Sequence, residues 1–329
     1  MPAVHDLSIR QLEYVIAVAD TLGFHRAAER CNVSQPTLSA QVQQIEEVLG
    51  VSLFERDKRR VIVTTAGREV VARARTVLLS LADLLAVAAG ARDPFASTFK
   101  LGVIPTIAPY LLPEVTQAWA KEYPALRVTW REELTDGVLR RLEVGEVDAA
   151  LVALVPGTES LRSSVVLEDP FVLALPPDHA LARAHKGALP LAALDGVTVL
   201  LLDDGHCLRT ETLALCSRVG AREGGFRATS LSTLAQMVSS GAGVTLLPTI
   251  ALAVENRRSQ LELRAFTAPV PTRTLALVWR PSSPYSATFE ALAATLRRAL
   301  AHSSAIAPSL RTSARHQPRT SSKAPGVVR

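Results

Sequence analysis

The chain has 329 residues, with 36 Lys and Arg against 31 Asp and Glu, and only three cysteines. This length supports two or three domains, each with its own core. No segment has the basic start and apolar core of a signal peptide, and the longest apolar run, residues 77–89, is too short to span a bilayer. The composition therefore excludes a membrane protein and predicts a cytoplasmic one, whose thiols stay reduced.

The excess of positive charge lies at the end of the chain. Five basic and no acidic residues follow residue 301, and the rest of the chain carries 31 residues of each sign. The net charge of +5 is therefore no argument that the folded part binds nucleic acid. We expect residues 301–329 to form a disordered basic tail, because Ser, Pro, Ala and Arg dominate it.

The first 66 residues predict a winged helix-turn-helix domain, with the helix-turn-helix at about 24–43. The predicted elements are helices over 8–20, 24–31 and 34–49 and wing strands over 51–56 and 61–64. Ser34 caps the third helix, and the tip of the wing is densely basic, which suits contact with phosphates. The predicted DNA-binding residues are Ser34, Gln35, Pro36, Thr37, Ser39, Gln43 and Arg59.

Residues 67–94 predict a long linker and dimerisation helix that ends at Asp93-Pro94. Apolar residues recur along it at alternating steps of three and four, at Val70, Ala74, Val77 and Leu81. Such a stripe suits a helix that pairs with its counterpart in a second subunit. A helix that lies on its own domain is the alternative.

Strands and helices alternate over residues 97–300, which predicts an α/β effector domain with a parallel sheet. The predicted strands are 99–104, 126–132, 147–154, 171–175, 197–202, 243–247, 261–266 and 274–279, and the predicted helices include 110–121, 136–144, 230–240 and 285–300. Subdomain I is predicted over 97–169 and 276–300, and subdomain II over 170–275. Thr106 and Thr135 follow strand ends, where open α/β sheets bind ligands; plain helix caps are the alternative.

Cys207 and Cys216 lie nine positions apart in a segment with a helical pattern, for which Asp204 is a plausible N-cap. In one regular helix their Cα atoms would be about 13 Å apart, from a rise of about 1.5 Å per residue. A disulfide tolerates at most about 7 Å, so a bridge requires the helix between the cysteines to unfold. The segment is therefore a candidate two-state element driven by thiol chemistry, and two structural core thiols are the alternative.

Cys207 has the surroundings expected of a reactive thiol. His206, Arg209 and a helix N-terminus favour the thiolate, whereas two neighbouring aspartates oppose it. We expect Cys216 to be buried and unreactive, so the chemistry that fits is oxidation of Cys207 to a sulfenic acid that condenses with Cys216. Cys31 is predicted to be a plain core thiol, and the sequence predicts neither a metal site nor a cofactor.

From residue 7 to residue 300 the chain resembles the LysR-type transcriptional regulators. The motifs that carry the resemblance are Ala27-Ala28-Glu29, residues 33–39 (VSQPTLS), the wing residues 53–56 (LFER), residues 104–106 (IPT), residues 204–209 (DGHCLR) with Cys216, and residues 226–231 (FRATSL). Within that family the chain looks like the peroxide-sensing members, because the run DGHCLR with a second cysteine at that distance is highly specific.

The resemblance implies an N-terminal winged helix-turn-helix, a linker helix and a periplasmic-binding-protein-like effector domain of two α/β subdomains. It also implies that Cys207 is the peroxidatic and Cys216 the resolving cysteine. The remaining residues that it implies for the site are Thr106, Thr135, His206 and Arg273, which position peroxide and activate the thiol, and Arg209, which holds the local structure. The disulfide would rearrange a tetramer and change how the paired DNA-binding domains contact the promoter.

The sequence thus predicts a transcription regulator, activator or repressor, that is not an enzyme and that hydrogen peroxide switches through a Cys207–Cys216 disulfide to control oxidative-stress genes. The expected partners are promoter DNA, further copies of the chain in a homodimer or homotetramer, RNA polymerase, and a glutaredoxin- or thioredoxin-type reductant. One alternative is a LysR-type regulator that holds a small organic anion near Thr106 and Thr135. The other is a thiol peroxidase, which would make no use of the first 66 residues.

Overall fold

A computed structural model describes residues 7–57, 60–90, 93–184 and 187–302. The chain divides into two compact units, Met1–Arg92 and Asp93–Arg329. The predicted contact residue Arg59 and the predicted tail from residue 303 onward lie outside the described residues. Among the described residues, no helix is long and apolar enough to cross a membrane.

The first unit contains the predicted winged helix-turn-helix. Its elements are α1 (Ile9–Thr21), α2 (Phe24–Arg30), α3 (Gln35–Leu49), β1 (Phe54–Asp57), β2 (Arg60–Val63) and α4 (Thr65–Gly90). Ser8 and Gln11 form a capping box that starts α1, in which each side chain bonds the other residue's backbone N–H. Ser34 caps α3 as predicted, because its hydroxyl accepts from the Thr37 N–H at 3.3 Å. β1 and β2 pair in antiparallel register to form the wing.

The core of the first unit lies where α1 packs against the other three helices. Leu38, Val42 and Ile45 form the buried stripe of α3 as predicted, and Leu49, which was predicted with them, is only half-buried. Cys31 was predicted to be a core thiol, but it lies at the edge of this core and is partly exposed.

The long helix α4 packs on this core through its first half only. Val71 and Ala74 are buried, whereas Val77, Leu84 and Leu85 are 51%, 64% and 62% exposed. The alternative of a helix lying on its own domain therefore holds for the first half. Pairing of the second half with another subunit stays a prediction that these exposed apolar side chains favour.

The second unit is the α/β effector domain. Its strands are β3 (Thr98–Val103), β4 (Arg127–Glu132), β5 (Ala149–Ala153), β6 (Arg162–Leu175), β7 (Thr198–Leu202), β8 (Arg222–Ala228), β9 (Thr245–Pro248), β10 (Glu262–Ala265) and β11 (Thr272–Trp279). Its helices are α5 (Ala108–Glu122), α6 (Thr135–Glu143), α7 (Ala180–Ala184), α8 (Cys207–Ser217), α9 (Leu231–Ser239), α10 (Leu252–Glu255) and α11 (Ser286–His302). Short 3₁₀ turns connect several of them.

The prediction of a parallel sheet is only partly correct. β3 is parallel to β4 and β5, but β11 runs antiparallel to β5 and β6. β6 is one long strand whose first part pairs with β11 and whose last part pairs with β9 and β10. The first part of β6 and the whole of β8 were not predicted, because neither segment alternates cleanly between apolar and polar residues.

Two apolar cores make the effector domain bilobal. The first lobe has its core residues in the ranges 99–166 and 275–300, and the second lobe has them in the range 171–266. Two residues of the second range, Cys207 and Ile250, pack instead with the first lobe's core. The start of α8 therefore reaches across the boundary between the lobes.

Candidate functional site

The candidate site lies at the N-terminal end of α8, which follows β7 through a turn over residues 203–206. Gly205 has a φ of +90°, and a Cβ there would lie 2.9 Å from the Leu134 side chain, so the turn requires glycine. The prediction that Asp204 is the N-cap is wrong. His206 occupies the cap position without a side-chain cap bond, and Asp204 instead accepts from Arg209 Nε at 2.9 Å.

Both cysteines of α8 are free thiols in this structure, and they lie in different cores. Cys207 packs with the first lobe and Cys216 with the second. The helix runs unbroken from Cys207 to Ser217, so the separation of about 13 Å between the two Cα atoms applies. A disulfide between them requires α8 to unfold, as the spacing predicts.

A buried ion pair contributes the charge that acts on the thiol. Arg273 on β11 and Asp169 on β6 are register partners, and Arg273 Nε lies 2.9 Å from Asp169 Oδ2 with both side chains fully buried. The guanidinium also donates to the hydroxyl and the carbonyl oxygen of Thr106 at 3.0 and 3.1 Å. The other carboxylate oxygen of Asp169 accepts from the Thr249 hydroxyl and the Ile250 N–H. Each charge is thus paired and hydrogen-bonded, as buried ions must be.

The two predicted threonines take part in this site and do not act as helix caps. Thr106 is bound by Arg273 after the end of β3, and the Thr135 hydroxyl at the start of α6 is hydrogen-bonded to the Cys207 thiol. Both threonines are buried. Because Thr106 Oγ1 accepts from Arg273, its hydroxyl hydrogen can be donated to a ligand.

Burial raises the pKa of the Cys207 thiol, which differs from the expectation of a stabilised thiolate. Three groups oppose the effect of burial and lower the pKa: the Thr135 hydroxyl, the Arg273 charge and the Leu208 N–H. The last of these is the predicted contribution of the helix N-terminus. The cation that acts on the thiol is therefore Arg273, which is 66 positions away in the sequence and not adjacent to Cys207.

His206 and Arg209, the two sequence neighbours that were expected to favour the thiolate, are not among the described groups that shift the pKa of the Cys207 thiol. Burial lowers the pKa of His206, which keeps the imidazole neutral, and the residues that partly oppose this shift are Asp203 and Thr229. Arg209 points to Asp204, Glu223 and the Leu202 carbonyl oxygen.

Arg209 belongs to a network of four charges that fixes the start of α8 to β8. Arg209 bridges Asp204 and Glu223 at 2.9 and 3.0 Å, and Arg227 bridges the same two carboxylates at 3.0 and 3.2 Å. Such a cyclic network holds the turn and the helix in one arrangement. This geometry supports the structural role that the resemblance implies for Arg209.

Apart from Arg59, the predicted DNA-contact residues lie at the cap and in the first part of α3. Gln35, Pro36, Thr37 and Gln43 are exposed, and Ser39 is half-buried. The hydroxyls of Ser34 and Thr37 lie 2.7 Å apart, and Gln43 donates to Glu47 at 3.0 Å. An exposed helix N-terminus with amide and hydroxyl side chains is a surface that can bind phosphates and base edges.

Two family models match the chain. The model of the bacterial regulatory helix-turn-helix protein, lysR family, matches residues 9–68, and the model of the LysR substrate binding domain matches residues 92–301. The chain belongs to the LysR family. The predicted architecture of winged helix-turn-helix, linker helix and two-lobed α/β effector domain is confirmed.

The LysR-family relatives of this chain include peroxide regulators. The DNA-binding transcriptional dual regulator OxyR of Escherichia coli K12 is 40% identical over 292 residues, which cover 88% of this chain and 95% of the relative. The hydrogen peroxide-inducible genes activator of Haemophilus influenzae is 40% identical over 291 residues, which cover 88% and 96%. The chain is therefore similar to these regulators over nearly their whole length.

Two solved structures are similar over most of the chain. Full-length OxyR of Pseudomonas aeruginosa with a cysteine-to-aspartate substitution superposes with a TM-score of 0.72 at 34% identity, covering 92% of this chain and 97% of that one. A hydrogen-peroxide-bound OxyR cysteine mutant of Corynebacterium glutamicum gives a TM-score of 0.63 at 33% identity, covering 93% and 96%. These likenesses agree with the predicted resemblance to peroxide-sensing LysR-type regulators.

Three residues of the site in this LysR-family chain were not predicted: Asp169, Thr249 and Glu211. Asp169 follows an acidic neighbour in a segment without clear strand periodicity, so nothing local distinguishes it. Glu211 is four residues after Cys207, and this spacing alone places the two side chains on one face of a helix. Among the described residues, no group of three or more His, Cys, Asp and Glu side chains could hold a metal ion.

Proposed function

We propose that this LysR-family chain is a hydrogen-peroxide-responsive transcription regulator that binds promoter DNA and is switched by a Cys207–Cys216 disulfide. One observation carries the proposal. The Cys207 thiol is hydrogen-bonded by Thr135, is influenced by the charge of the buried Arg273, and shares an intact helix with a second thiol that it cannot reach. The site therefore has both a place for oxidation and a structural change that oxidation would drive.

The chemistry is balanced with hydrogen peroxide as the only oxidant. The Cys207 thiolate attacks one peroxide oxygen, the O–O bond breaks, and the leaving hydroxide takes up a proton to give water and a sulfenic acid. We propose that the Thr106 and Thr135 hydroxyls hydrogen-bond the peroxide oxygens. The Cys216 thiol then attacks the sulfenic acid sulfur, a second water leaves, and the disulfide forms.

The disulfide changes the shape of the effector domain because α8 has to unfold between the two cysteines. Cys207 leaves the first lobe's core, and the ion-pair network of Arg209 and Arg227 with Asp204 and Glu223 has to reorganise. We propose that this rearrangement passes to the DNA-binding unit through a homodimer or homotetramer. A glutaredoxin- or thioredoxin-type reductant in the cytoplasm restores the thiols, and RNA polymerase is the partner at the promoter.

Mass spectrometry of the full chain after mild peroxide treatment tests the thiol step. Non-reducing peptide mapping should find a Cys207–Cys216 bridge, and the Cys31→Ser variant should form it equally well. A sample in which both thiols of α8 stay reduced contradicts the proposal.

DNA binding is tested by footprinting of the reduced and oxidised protein on its own upstream DNA, and we expect the two footprints to differ. Arg59→Ala should weaken binding to all sequences and reduce the slope of log K against log salt by about one, because one phosphate contact is lost. An unchanged slope would show that the wing does not contact the DNA.

The two alternatives make different predictions. A regulator of a small organic anion needs a cation free to bind it, yet Arg273 is already paired with Asp169. Tight binding of a metabolite by a protein indifferent to peroxide would favour that alternative. Sustained peroxide turnover with thioredoxin and no promoter binding would identify a thiol peroxidase.

A further inference from the structure

Glu211 is a half-buried acid that the proposed chemistry does not use. It lies one helical turn after Cys207 on α8, so the two side chains share a face of the helix. Its Oε2 atom is enclosed by protein and has no hydrogen-bond partner among the described residues. A carboxylate oxygen in this position loses its hydration without compensation, which favours the neutral acid.

The charges around Glu211 and Cys207 come from three elements. Arg273 on β11 attracts negative charge on both groups, Asp169 on β6 repels negative charge on Glu211, and each of the two groups repels charge on the other. Among the described residues, the other groups that shift the pKa of the thiol are the Thr135 hydroxyl and the Leu208 N–H, and neither carries a charge.

Charge balance then limits the site to one additional anion. The Arg273–Asp169 pair is neutral by itself. A Cys207 thiolate or a Glu211 carboxylate brings the buried cluster to a net charge of −1, and both together bring it to −2. Two like charges in a poorly solvated site titrate as a coupled pair, in which the ionisation of one group suppresses that of the other.

We propose that Glu211 is a positioning residue that controls the thiolate of Cys207 through its own charge, and so sets the rate and the pH dependence of the reaction with peroxide. The neutral acid permits the thiolate, and the carboxylate suppresses it. This inference rests on the proposed function of Cys207. Burial raises the pKa of Glu211 to about 7, so the change falls within the physiological range.

The pH profile of thiol oxidation distinguishes this role from a structural one. A lone thiol below its pKa reacts about tenfold faster for each unit of pH, because the thiolate is the nucleophile. In the parent protein the oxidation rate should rise less steeply with pH between about pH 7 and 8, where Glu211 ionises. In Glu211→Gln the increase should continue without this flattening, because the amide has nearly the same shape and no charge.

The experiment uses the full chain with Cys31→Ser and Cys216→Ser, so that the only oxidation product is the Cys207 sulfenic acid. The rate is measured from pH 5.5 to 8.5 after mixing with hydrogen peroxide, by trapping the sulfenic acid with a cyclic dione and mass spectrometry. At pH 8, Glu211→Gln should react about three- to tenfold faster than the parent, and at pH 5.5 the two should agree within about twofold. Glu290→Gln, an exposed charge change on α11, should follow the parent throughout.

Glu211→Gln reacting at the parent's rate, or more slowly, at pH 8 overturns the inference. If that variant does not fold, the parent's own profile decides, because a tenfold rise per unit across pH 7 to 8 overturns the inference and a flattened rise supports it. If the parent's Cys207 forms no sulfenic acid at any pH, the proposed function fails first. If Cys207 reacts and the charge of Glu211 has no effect, only this inference fails.

Discussion

The two ends of α8 hold the same side chain in different surroundings. Cys207 and Cys216 are 8% and 2% exposed, so burial alone does not distinguish them. Burial raises the pKa of the Cys216 thiol to about 11, and no polar group in the described part of the chain opposes it. At Cys207 the Thr135 hydroxyl, the Arg273 charge and a backbone N–H oppose the same effect. Polar partners, more than exposure, therefore distinguish the two thiols.

The largest effect should come from removing each thiol in turn. Cys207→Ser should abolish both the sulfenic acid and the disulfide, because the nucleophile is lost. Cys216→Ser should abolish the disulfide and leave a sulfenic acid that dione trapping detects at Cys207. Sulfenic acid at Cys216 in the Cys207→Ser variant would show that the two ends of α8 are chemically equivalent and would contradict the assignment.

Arg273→Met tests whether the distant cation makes Cys207 different from Cys216. It leaves the Asp169 carboxylate buried without its partner, so we expect a loss of about 3–5 kcal/mol in the free energy of unfolding, measured by urea denaturation. The double variant Arg273→Met, Asp169→Asn should recover much of this stability. Cys207 should be oxidised more slowly in both variants than in the parent protein. A double variant that reacts at the parent's rate would show that Arg273 does not contribute to the oxidation.

Glu211 lies at the Cys207 end of the helix, and its titration should affect the stability of the protein. Glu211→Gln tests this effect through the pH dependence of the unfolding free energy. Because the pKa of Glu211 is raised to about 7 in the folded state, from an ordinary value of 4.5, the folded state holds this proton more tightly than the unfolded chain does. The resulting stabilisation is complete below pH 4.5 and is lost as the pH rises through 7. Relative to the parent, Glu211→Gln should gain about 1–3 kcal/mol of unfolding free energy between pH 5 and pH 8.

The control for this titration is Glu290→Gln on the exposed face of α11. The difference in unfolding free energy between Glu290→Gln and the parent should stay constant over the same pH range. Urea denaturation at several pH values measures both variants. If the difference in unfolding free energy between Glu211→Gln and the parent is equally independent of pH, the Glu211 carboxyl titrates as it does in water.

Thr135→Val should have the smallest effect of these changes. It removes one hydroxyl hydrogen bond to the Cys207 thiol, which is worth about 1 kcal/mol and corresponds to about fivefold in the rate of oxidation. Thr210→Val, at an exposed position of α8, is the matched control and should leave the rate unchanged. Equal rates for both variants would mean that the hydroxyl does not stabilise the thiolate.

Much of the fold was predictable because it follows from local patterns. The helix-turn-helix, α4 and most strands of the effector domain come from periodicity, caps and turn residues that lie within a few positions of each other. Where those patterns are weak, as in the first part of β6 and in the glycine-containing β8, prediction failed. The antiparallel placing of β11 between β5 and β6 was also missed, because strand order depends on packing between distant segments.

That Cys207 and Cys216 share a helix and cannot bridge within it follows from the amino-acid sequence alone, since the rise of a helix is a property of the backbone. The capped start of α3 and its buried stripe follow from it as well. How the charged groups near the thiol meet depends on the folding of distant segments onto each other. Arg273 and Asp169 are 104 positions apart and meet through strand register, and the pKa values of Cys207 and Glu211 depend on how far each is buried beside that pair. Electrostatic environment is a long-range property of the fold, and no local pattern encodes it.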